Sequence, residues 1–237
     1  MGVKMARQKP KNLLTSGIYR LSKLPLLSRD KKFRLFLNLE WIFDRLAHEY
    51  SYHYYSSSNH PARIYSYDFM LEQIRSTDAV LDLGCNLGDI SFRLAEKAKK
   101  VVGIDYAPKA IETAKKRYQR PNLEFHCVEA YEYLKGNKER FDVLILSHIL
   151  EHLDDPKDFL MKFKDFFGHV YIELPDFDRY YLNHYRKDLQ MPIIYSDDDH
   201  ITEFDRRELK MLLAECGLEV LHSEFIYGVQ KYWCKVL

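Results

Sequence analysis

Short apolar runs alternate with amphipathic segments over most of the chain, from about residue 68 onward. Five runs of leucine and β-branched residues have too few polar positions to leave one face in water, which predicts buried strands of a parallel sheet. These runs are residues 79–83, 101–104, 123–128, 143–146 and 170–174. Helical spacing occupies the gaps at residues 90–99, 108–118, 131–134 and 156–167. This alternation predicts a doubly wound α/β domain.

The pattern changes near the C-terminus. Regular alternation stops for about thirty residues after Leu174 and resumes with a predicted helix over 205–216, closed by Gly217. Two strand-like runs follow at residues 218–226 and 229–237. A two-residue connection between successive strands implies an antiparallel pair. We therefore expect a mostly parallel sheet with an antiparallel last strand.

The N-terminal part has a different pattern. Apolar residues recur every three or four positions over 33–49, which predicts an amphipathic helix. Residues 50–67 then hold six tyrosines around a serine cluster and Pro61, which favours a linker or a substrate-facing lid. We accordingly expect two domains: a helical N-terminal extension over 1–67 and the main domain over 68–237.

Composition and charge narrow the functional classes. Of 237 residues, 46% are apolar, which excludes disorder throughout. No membrane-length apolar run and no secretory signal is found, so we expect a cytoplasmic protein. The four cysteines form no C-x-x-C pair, so neither a disulfide framework nor a zinc site is indicated.

The net charge of +1 hides a basic arm. Residues 1–38 carry ten Lys and Arg against one acid, whereas the remaining 26 Lys and Arg face 34 Asp and Glu. Such an arm can bind phosphates, in nucleic acid, on a phosphate-bearing acceptor or on an anionic lipid surface at the inner membrane face. The alternative is an extension that packs on the acidic body.

The first predicted strand ends in a glycine loop, L-D-L-G-C-N-L-G-D over residues 81–89. A dinucleotide fingerprint would need glycine at 84, 86 and 89, but the chain has Gly84, Asn86 and Asp89. Asp82 and Asp89 flank the loop and would repel a pyrophosphate while tolerating a cation. NAD and FAD are therefore disfavoured, and a positively charged ligand without phosphate fits better.

Two acids follow the next strands. Asp105 ends the second strand, 21 residues beyond Gly84, where a carboxylate can accept hydrogen bonds from both hydroxyls of a ribose. Glu129 follows the third strand at the same edge of the sheet, where it could accept from an adenine amino group.

Four motifs in this order resemble those of the class I S-adenosylmethionine-dependent methyltransferases, in the group acting on small molecules and glycans. They are the glycine loop, V-V-G-I-D-Y-A-P (101–108), V-E-A (128–130) and F-D-V-L-I-L-S-H-I-L-E-H-L (141–153). The resemblance covers about residues 68–237. It implies a Rossmann-like seven-stranded sheet with an antiparallel last strand, and S-adenosylmethionine as cofactor. Where the family has glycine, this chain has Asn86, which tolerates left-handed backbone, so we expect a retained pocket.

The resemblance also implies roles for particular residues. Those around the methionine part of the cofactor would be Asp82, Gly84, Cys85 and Gly88. Asp105 would hold the ribose, Tyr106 would lie against the adenine, and Glu129 with Ala130 would contact the adenine edge. Ser147 and His148 would line the sulfonium.

The fourth strand bears on the reaction. Ser147-His148-Ile149-Leu150 resembles neither the Asp/Asn-Pro-Pro-aromatic element of base amino methyltransferases nor the Pro-Cys of pyrimidine-carbon enzymes, so nucleic-acid base methylation is less favoured. A hydroxyl acceptor must lose a proton, and histidine suits that task near neutral pH. The candidate catalytic residues are His152, His148 and His200.

The same histidines raise the question of a metal. His148 and His152 stand four apart with Glu151 between them, but H-E-x-x-H is absent and no third ligand is indicated at a fixed spacing. We therefore expect no metal site. The run D-H-I-T-E-F-D (199–205) resembles the tail of methyltransferases of sugar, cell-surface glycan and natural-product pathways.

The function predicted from the sequence is methyl transfer to a hydroxyl of a small molecule or glycan, held between residues 50–67 and 175–203. Two alternatives remain open. One is an RNA-directed methyltransferase that uses the basic arm, and the other is a non-catalytic cofactor-binding interaction protein.

Overall fold

A seven-stranded mixed sheet organises the protein. The computed structural model describes residues 13–56, 59–136, 140–191 and 199–237. The strand order is β3-β2-β1-β4-β5-β7-β6; β1 to β5 run parallel and β7 is antiparallel to both of its neighbours. The strands are β1 (Ala79–Leu83), β2 (Lys100–Asp105), β3 (Leu123–Cys127), β4 (Val143–Ser147), β5 (His169–Pro175), β6 (Leu218–Ile226) and β7 (Val229–Val236).

Helices occupy the connections between the strands and the N-terminal region. They are α1 (Leu13–Ser22), α2 (Arg29–Tyr54), α3 (Pro61–Gln73), α4 (Asp89–Leu94), α5 (Pro108–Arg117), α6 (Ala130–Gly136), α7 (Pro156–Phe163), α8 (Leu182–Asp188) and α9 (Arg206–Glu215). A capping box starts α9: the Asp205 side chain accepts from backbone N–H groups of the first turn, and the Glu208 side chain accepts from the Asp205 N–H. None of the helices in the described ranges is long and apolar enough to span a membrane.

The predicted fold is confirmed. Each of the five parallel strands lies within one residue of its predicted bounds. Four of them are apolar runs covered on both faces, whereas β3 is an edge strand whose Glu124 and Cys127 are exposed. The closing antiparallel pair is also confirmed, with a short connection whose Tyr227 and Gly228 both adopt positive φ. The helix predicted over 90–99 is shorter and ends at Leu94.

Two segments are more regular than predicted. The linker predicted over 50–67 is mostly replaced by helix, because α2 continues to Tyr54 and α3 begins at Pro61. Proline is well suited to a first helical turn. Residues 57–58 lie outside the described part. The segment 175–203 contains α8, which the sequence pattern did not indicate.

The contacts divide the chain into one unit up to Ala47 and a second over His48–Leu237. This boundary differs from the one at 67/68 drawn from the tyrosine-rich pattern. The difference arises because α3 belongs to the sheet domain: its Phe69 and Met70 pack with Val80 and Ile145 of the sheet.

The sheet order fixes where a ligand can bind. The chain runs outward from β1 through β2 to β3 and then crosses back to β4 on the other side of β1. Connections therefore leave in opposite directions at the carboxyl ends of β1 and β4, which opens a crevice there.

Candidate functional site

A cleft of about 680 Å³ opens at the carboxyl ends of β1, β2 and β4. Pockets for small ligands commonly span about 300–1,000 Å³. Its lining contains the carboxylates of Asp105, Glu129 and Asp199, and no Lys or Arg of the described ranges. This charge suits a cationic ligand better than a phosphate.

The loop after β1 forms one wall of the cleft. Gly84 adopts φ of +72°, and a Cβ there would come within 2.5 Å of Ile149 Cδ1. Gly88 adopts φ of +81°, and a Cβ there would come within 2.6 Å of the Phe125 ring. Asn86 has φ of +46°, so the expectation that it accepts left-handed backbone is confirmed.

Asp105 is held by the backbone on either side of it. Its Oδ2 accepts from the Asn86 N–H at 2.9 Å and its Oδ1 accepts from the Ala107 N–H at 2.8 Å. A carboxylate offers about four acceptor positions, so each oxygen can accept a further hydrogen bond. The group is therefore oriented in advance and able to receive two hydroxyls.

The residues predicted to contact adenine lie along the same cleft. Tyr106 is 85% exposed, and Ala130 is buried at the start of α6. The Glu129 Oε2 accepts from the Glu132 N–H at 3.0 Å, so this side chain also caps α6.

Four of the predicted cofactor residues do not line the cleft: Asp82, Cys85, Gly88 and Ser147. Asp82 is buried beneath the loop and accepts from Ser91 Oγ at 2.5 Å. Burial raises the pKa of Asp82 to about 7 and raises that of the Cys85 thiol well above its usual value. Asp82 and Cys85 therefore support the loop from below.

His148 follows β4 with an unusual backbone φ of +56°. Its Nδ1 lies 3.0 Å from Glu151 Oε1 and its Nε2 lies 3.4 Å from Glu173 Oε1. Desolvation opposes its charge, but the hydrogen bonds and attraction from these two carboxylates outweigh it and raise the pKa of His148 to about 10. The two carboxylates therefore favour the protonated form of the ring, in which both nitrogens donate.

Glu173 is a buried acid beneath this histidine. Burial favours its neutral form, but hydrogen bonds and charge from His148 prevail and lower its pKa. The Tyr171 hydroxyl donates a short hydrogen bond to Glu173 Oε2, and Ser147 Oγ lies 3.5 Å from Oε1. Ser147 therefore faces Glu173 from the neighbouring strand.

His152 and His200 meet at the rim. Their ring centroids lie 4.9 Å apart in an edge-on arrangement, and His152 lines the cleft together with Gly84 and Asp105. The His152 Nδ1 lies 3.2 Å from the Asp199 carbonyl oxygen, and the His200 Nδ1 lies 2.8 Å from Glu203 Oε1. Glu151, His152 and His200 each offer one ligand-type atom within 4.8 Å of the others. The structure thus provides the third such residue that the sequence spacing did not indicate.

Two residues at the site were missed by the sequence analysis. Glu173 lies within an apolar strand run, and a charge in a strand covered on both faces is a signal of a buried functional or paired group. Asp199 gave no such signal, because it follows two other aspartates in a polar stretch.

A methyltransferase-domain family model matches residues 61–223. A mitochondrial ubiquinone biosynthesis O-methyltransferase of Schizosaccharomyces pombe is 35% identical over 104 residues, which cover 39% of this chain and 37% of that protein. A human tRNA (uracil-5-)-methyltransferase homolog A is 32% identical over 127 residues, covering 48% of this chain and 20% of that protein.

Both matches span well under half the length of those relatives. Among solved structures, magnesium protoporphyrin IX methyltransferase of Synechocystis PCC 6803, with bound SAH, superposes with a TM-score of 0.57 at 11% identity. The alignment covers 95% of this chain and 96% of that one, and at this identity it establishes the fold alone. With the glycine loop, the acid at the end of β2 and a family match over more than half of its length, the chain belongs to the class I S-adenosylmethionine-dependent methyltransferases.

Proposed function

We propose that this protein transfers the methyl group of S-adenosylmethionine to a hydroxyl oxygen of a small molecule or glycan. The observation that carries the proposal is the position of His152, which lines the cofactor cleft and meets His200 at its rim. The partial match to a ubiquinone biosynthesis O-methyltransferase supports an oxygen acceptor.

The residues of the cleft suit this cofactor. Asp105 would receive the two ribose hydroxyls, and Tyr106 and Glu129 would contact the adenine. The absence of a side chain at Gly84 would leave room for the methionine part. The bound cofactor supplies an electrophilic methyl group on a cationic sulfur, and the acidic lining favours that charge.

The chain's own residues would then align the acceptor and assist loss of its proton. Methyl transfer is a direct displacement, so placing the oxygen in line with the methyl carbon supplies much of the rate. His148 and its two carboxylates would fix the floor beneath the sulfonium. The His152 and His200 pair would stand beside the acceptor hydroxyl and promote its deprotonation, which is worth about 100-fold to 10,000-fold in comparable enzymes.

Transfer of labelled methyl from S-adenosylmethionine to a panel of sugars, catechol-like phenols, quinols and lipids tests the proposal. We expect O-methylated product with at least one class, and a strong loss of rate in His152→Ala. His222→Ala, an exposed histidine of β6, is the matched control and should keep full activity. Methylation of amines alone, or cofactor binding without any acceptor, would contradict the proposal; the second result would favour a non-catalytic interaction protein.

An RNA acceptor is the second candidate, favoured by the match to a tRNA (uracil-5-)-methyltransferase homolog. Attack at a pyrimidine carbon commonly needs a thiolate nucleophile. Cys85, the cysteine of the glycine loop, is buried with a raised pKa, which does not suit that role. Residues 1–12 of the basic arm lie outside the described part of the chain. Methyl transfer to total RNA that falls steeply with salt would favour this candidate.

A further inference from the structure

The long helix α2 exposes an apolar stripe, which we call the α2 seam. It consists of six large apolar side chains, each 36–64% exposed: Leu35, Phe36, Leu39, Ile42, Phe43 and Leu46. At 3.6 residues per turn these positions fall within an arc of about 120° on one side of the helix. A contiguous exposed apolar stripe of this kind marks an interaction surface.

The opposite side of α2 is more polar and less exposed than the seam. Leu37 is buried there, and its half-buried neighbours are Asn38, Trp41, Asp44 and Arg45. A surface helix of a soluble protein ordinarily places its polar side in water and its apolar side in the core. The orientation of α2 is the reverse of that arrangement, so we expect a further surface to cover the seam.

The spacing within the seam indicates what kind of surface fits it. Its three leucines and Ile42 follow one another at intervals of four, three and four residues. This spacing is that of helices packed side by side, in which each apolar side chain inserts among four residues of the facing helix. The two phenylalanines, seven residues apart, widen the same stripe. The seam therefore suits the apolar stripe of another helix.

The charges along α2 indicate which helix that is. Residues 29–34 hold four Lys or Arg and one acid, whereas residues 40–49 hold three acids and one arginine. Two copies of α2 in antiparallel orientation would place the basic segment of each beside the acidic segment of the other. A parallel pair would bring like charges together. We propose that the α2 seam joins two copies of this chain in an antiparallel, two-fold symmetric dimer.

The same charges disfavour a lipid surface as the partner. An anionic membrane attracts basic residues that accompany an apolar stripe along its length. On α2 the bases are concentrated in the first six residues, and the acids of 40–49 accompany most of the seam. A second copy satisfies both segments, whereas an anionic surface would repel the second one.

The area of the seam is sufficient for such a dimer. With roughly 200 Å² for a fully exposed side chain of this size, the six side chains of each copy would bury on the order of 1,000 Å² in the pair. This area lies at the lower limit for a specific protein–protein interface. We therefore expect a dimer that dissociates at about micromolar concentration.

The pattern also fixes where the two-fold axis passes. Leu39 and Ile42 flank the middle of the seam, so in an antiparallel pair each lies close to its own counterpart in the other copy. Leu35 would lie about 16 Å along the axis from its counterpart, at 1.5 Å per residue. In a parallel pair, every residue would face its own counterpart. The two arrangements therefore differ in which single cysteines can form a disulfide, since that bond needs Cα atoms within about 7 Å.

Sedimentation velocity of the full-length protein measures association of the 28.4 kDa chain. We expect a monomer–dimer equilibrium over about 1 to 100 μM. Phe43→Glu and Ile42→Glu should each raise the dissociation constant at least about tenfold, because each would bury a charge in the seam. Met211→Glu places the same charge at an exposed apolar position of α9, and this matched control should associate as the wild type does.

The orientation is tested by cysteine substitution in a background where the exposed Cys127 is replaced by serine. Leu39→Cys should form disulfide-linked dimers with oxidised glutathione, and Leu35→Cys should not. Linking at Leu35, or at neither position, would overturn the antiparallel arrangement.

Three results would overturn the dimer itself: a monomer throughout the concentration range, association unchanged in Phe43→Glu, or equal loss of association in Met211→Glu. Binding of monomeric protein to phosphatidylglycerol vesicles that Phe43→Glu abolishes would also overturn it, because the seam would then cover a lipid surface. Circular dichroism and S-adenosylhomocysteine affinity verify the fold of each variant. None of these measurements uses an acceptor, so the result does not depend on the proposed reaction.

Discussion

Replacing Asp105 by alanine is expected to weaken cofactor binding strongly. The carboxylate is held by the Asn86 and Ala107 N–H groups, so it would be presented to a ribose without reorganisation. Two charge-assisted hydrogen bonds to the ribose hydroxyls would be lost, each worth about 1.5–3 kcal/mol. If each bond is worth 1.5 kcal/mol, the loss of one raises Kd about tenfold, and the loss of both, about 3 kcal/mol in total, raises it about 150-fold.

The same substitution removes two acceptors of backbone N–H groups. The hydrogen bond from Asn86 is exposed to solvent and that from Ala107 is partly buried, so water can replace them, and the cost in unfolding free energy is about 0.5–1.5 kcal/mol each. Asp105→Asn separates the two effects. Its single carbonyl oxygen keeps one acceptor in place, and we expect an intermediate affinity.

Calorimetric titration with S-adenosylmethionine and S-adenosylhomocysteine measures the change in Kd, and urea unfolding measures the stability. Glu112→Ala removes an exposed acid from α5 and serves as the control for net charge. A folded Asp105→Ala variant whose Kd lies within twofold of the wild type would refute the assignment of the ribose-binding acid.

Three further changes test the support of the site. Burial raises the pKa of Asp82 to about 7. The folded protein therefore keeps the Asp82 carboxyl proton at pH values where the unfolded chain, with a pKa near 4, has lost it. The unfolding free energy accordingly falls as pH rises from about 4 to 7. The Asp82→Asn variant cannot ionise at this position, so its unfolding free energy minus that of the wild type should rise by up to about 4 kcal/mol between pH 4 and pH 8 in urea titrations. A difference between variant and wild type that stays constant with pH would contradict the raised pKa. Gly88→Ala should lower the unfolding free energy by at least about 2 kcal/mol and reduce cofactor affinity, because the new Cβ would lie 2.6 Å from the Phe125 ring in left-handed backbone. Gly17→Ala is the control: its Cβ would meet no described atom within 4 Å, so the change should be neutral or stabilising. Asp205→Ala removes the N-cap of α9 and should lower the unfolding free energy by about 1 kcal/mol without changing cofactor Kd; an unchanged denaturation midpoint would show that the cap is dispensable.

The fold and the position of the cleft could be predicted because their signals are local. An apolar run such as 143–146 has one stable environment, a strand covered on both faces, and successive parallel strands bring their carboxyl ends to one edge. Gly84 and Asp105 follow directly from that placement. The backbone at Asn86 could also be anticipated, since asparagine is among the few residues that accept positive φ.

The continuation of α2 to Tyr54 and the start of α3 at Pro61 could not be predicted, since two local signals disagreed. Tyrosine and serine have modest helix propensity, which favoured a linker, whereas Pro61 is well placed to begin a helix. Packing decided between them. Phe69 and Met70 are buried against the sheet, and this burial stabilises α3 more than local propensity opposes it.

The cluster at the rim is a product of tertiary structure. Glu151 and His152 are neighbours in sequence, but nothing in the spacing to His200 indicates that it returns to them. Ile201 and Thr202, next to His200, donate two hydrogen bonds to the Glu151 carbonyl, and backbone contacts of this kind leave no residue pattern in the sequence. The positions of side chains at the ends of regular strands can be predicted from the sequence. The positions of side chains that meet through an irregular segment cannot, because no local pattern indicates where that segment runs. In this protein the first kind forms much of the cleft at the sheet edge, and the second kind forms the part of the site that would act on the acceptor.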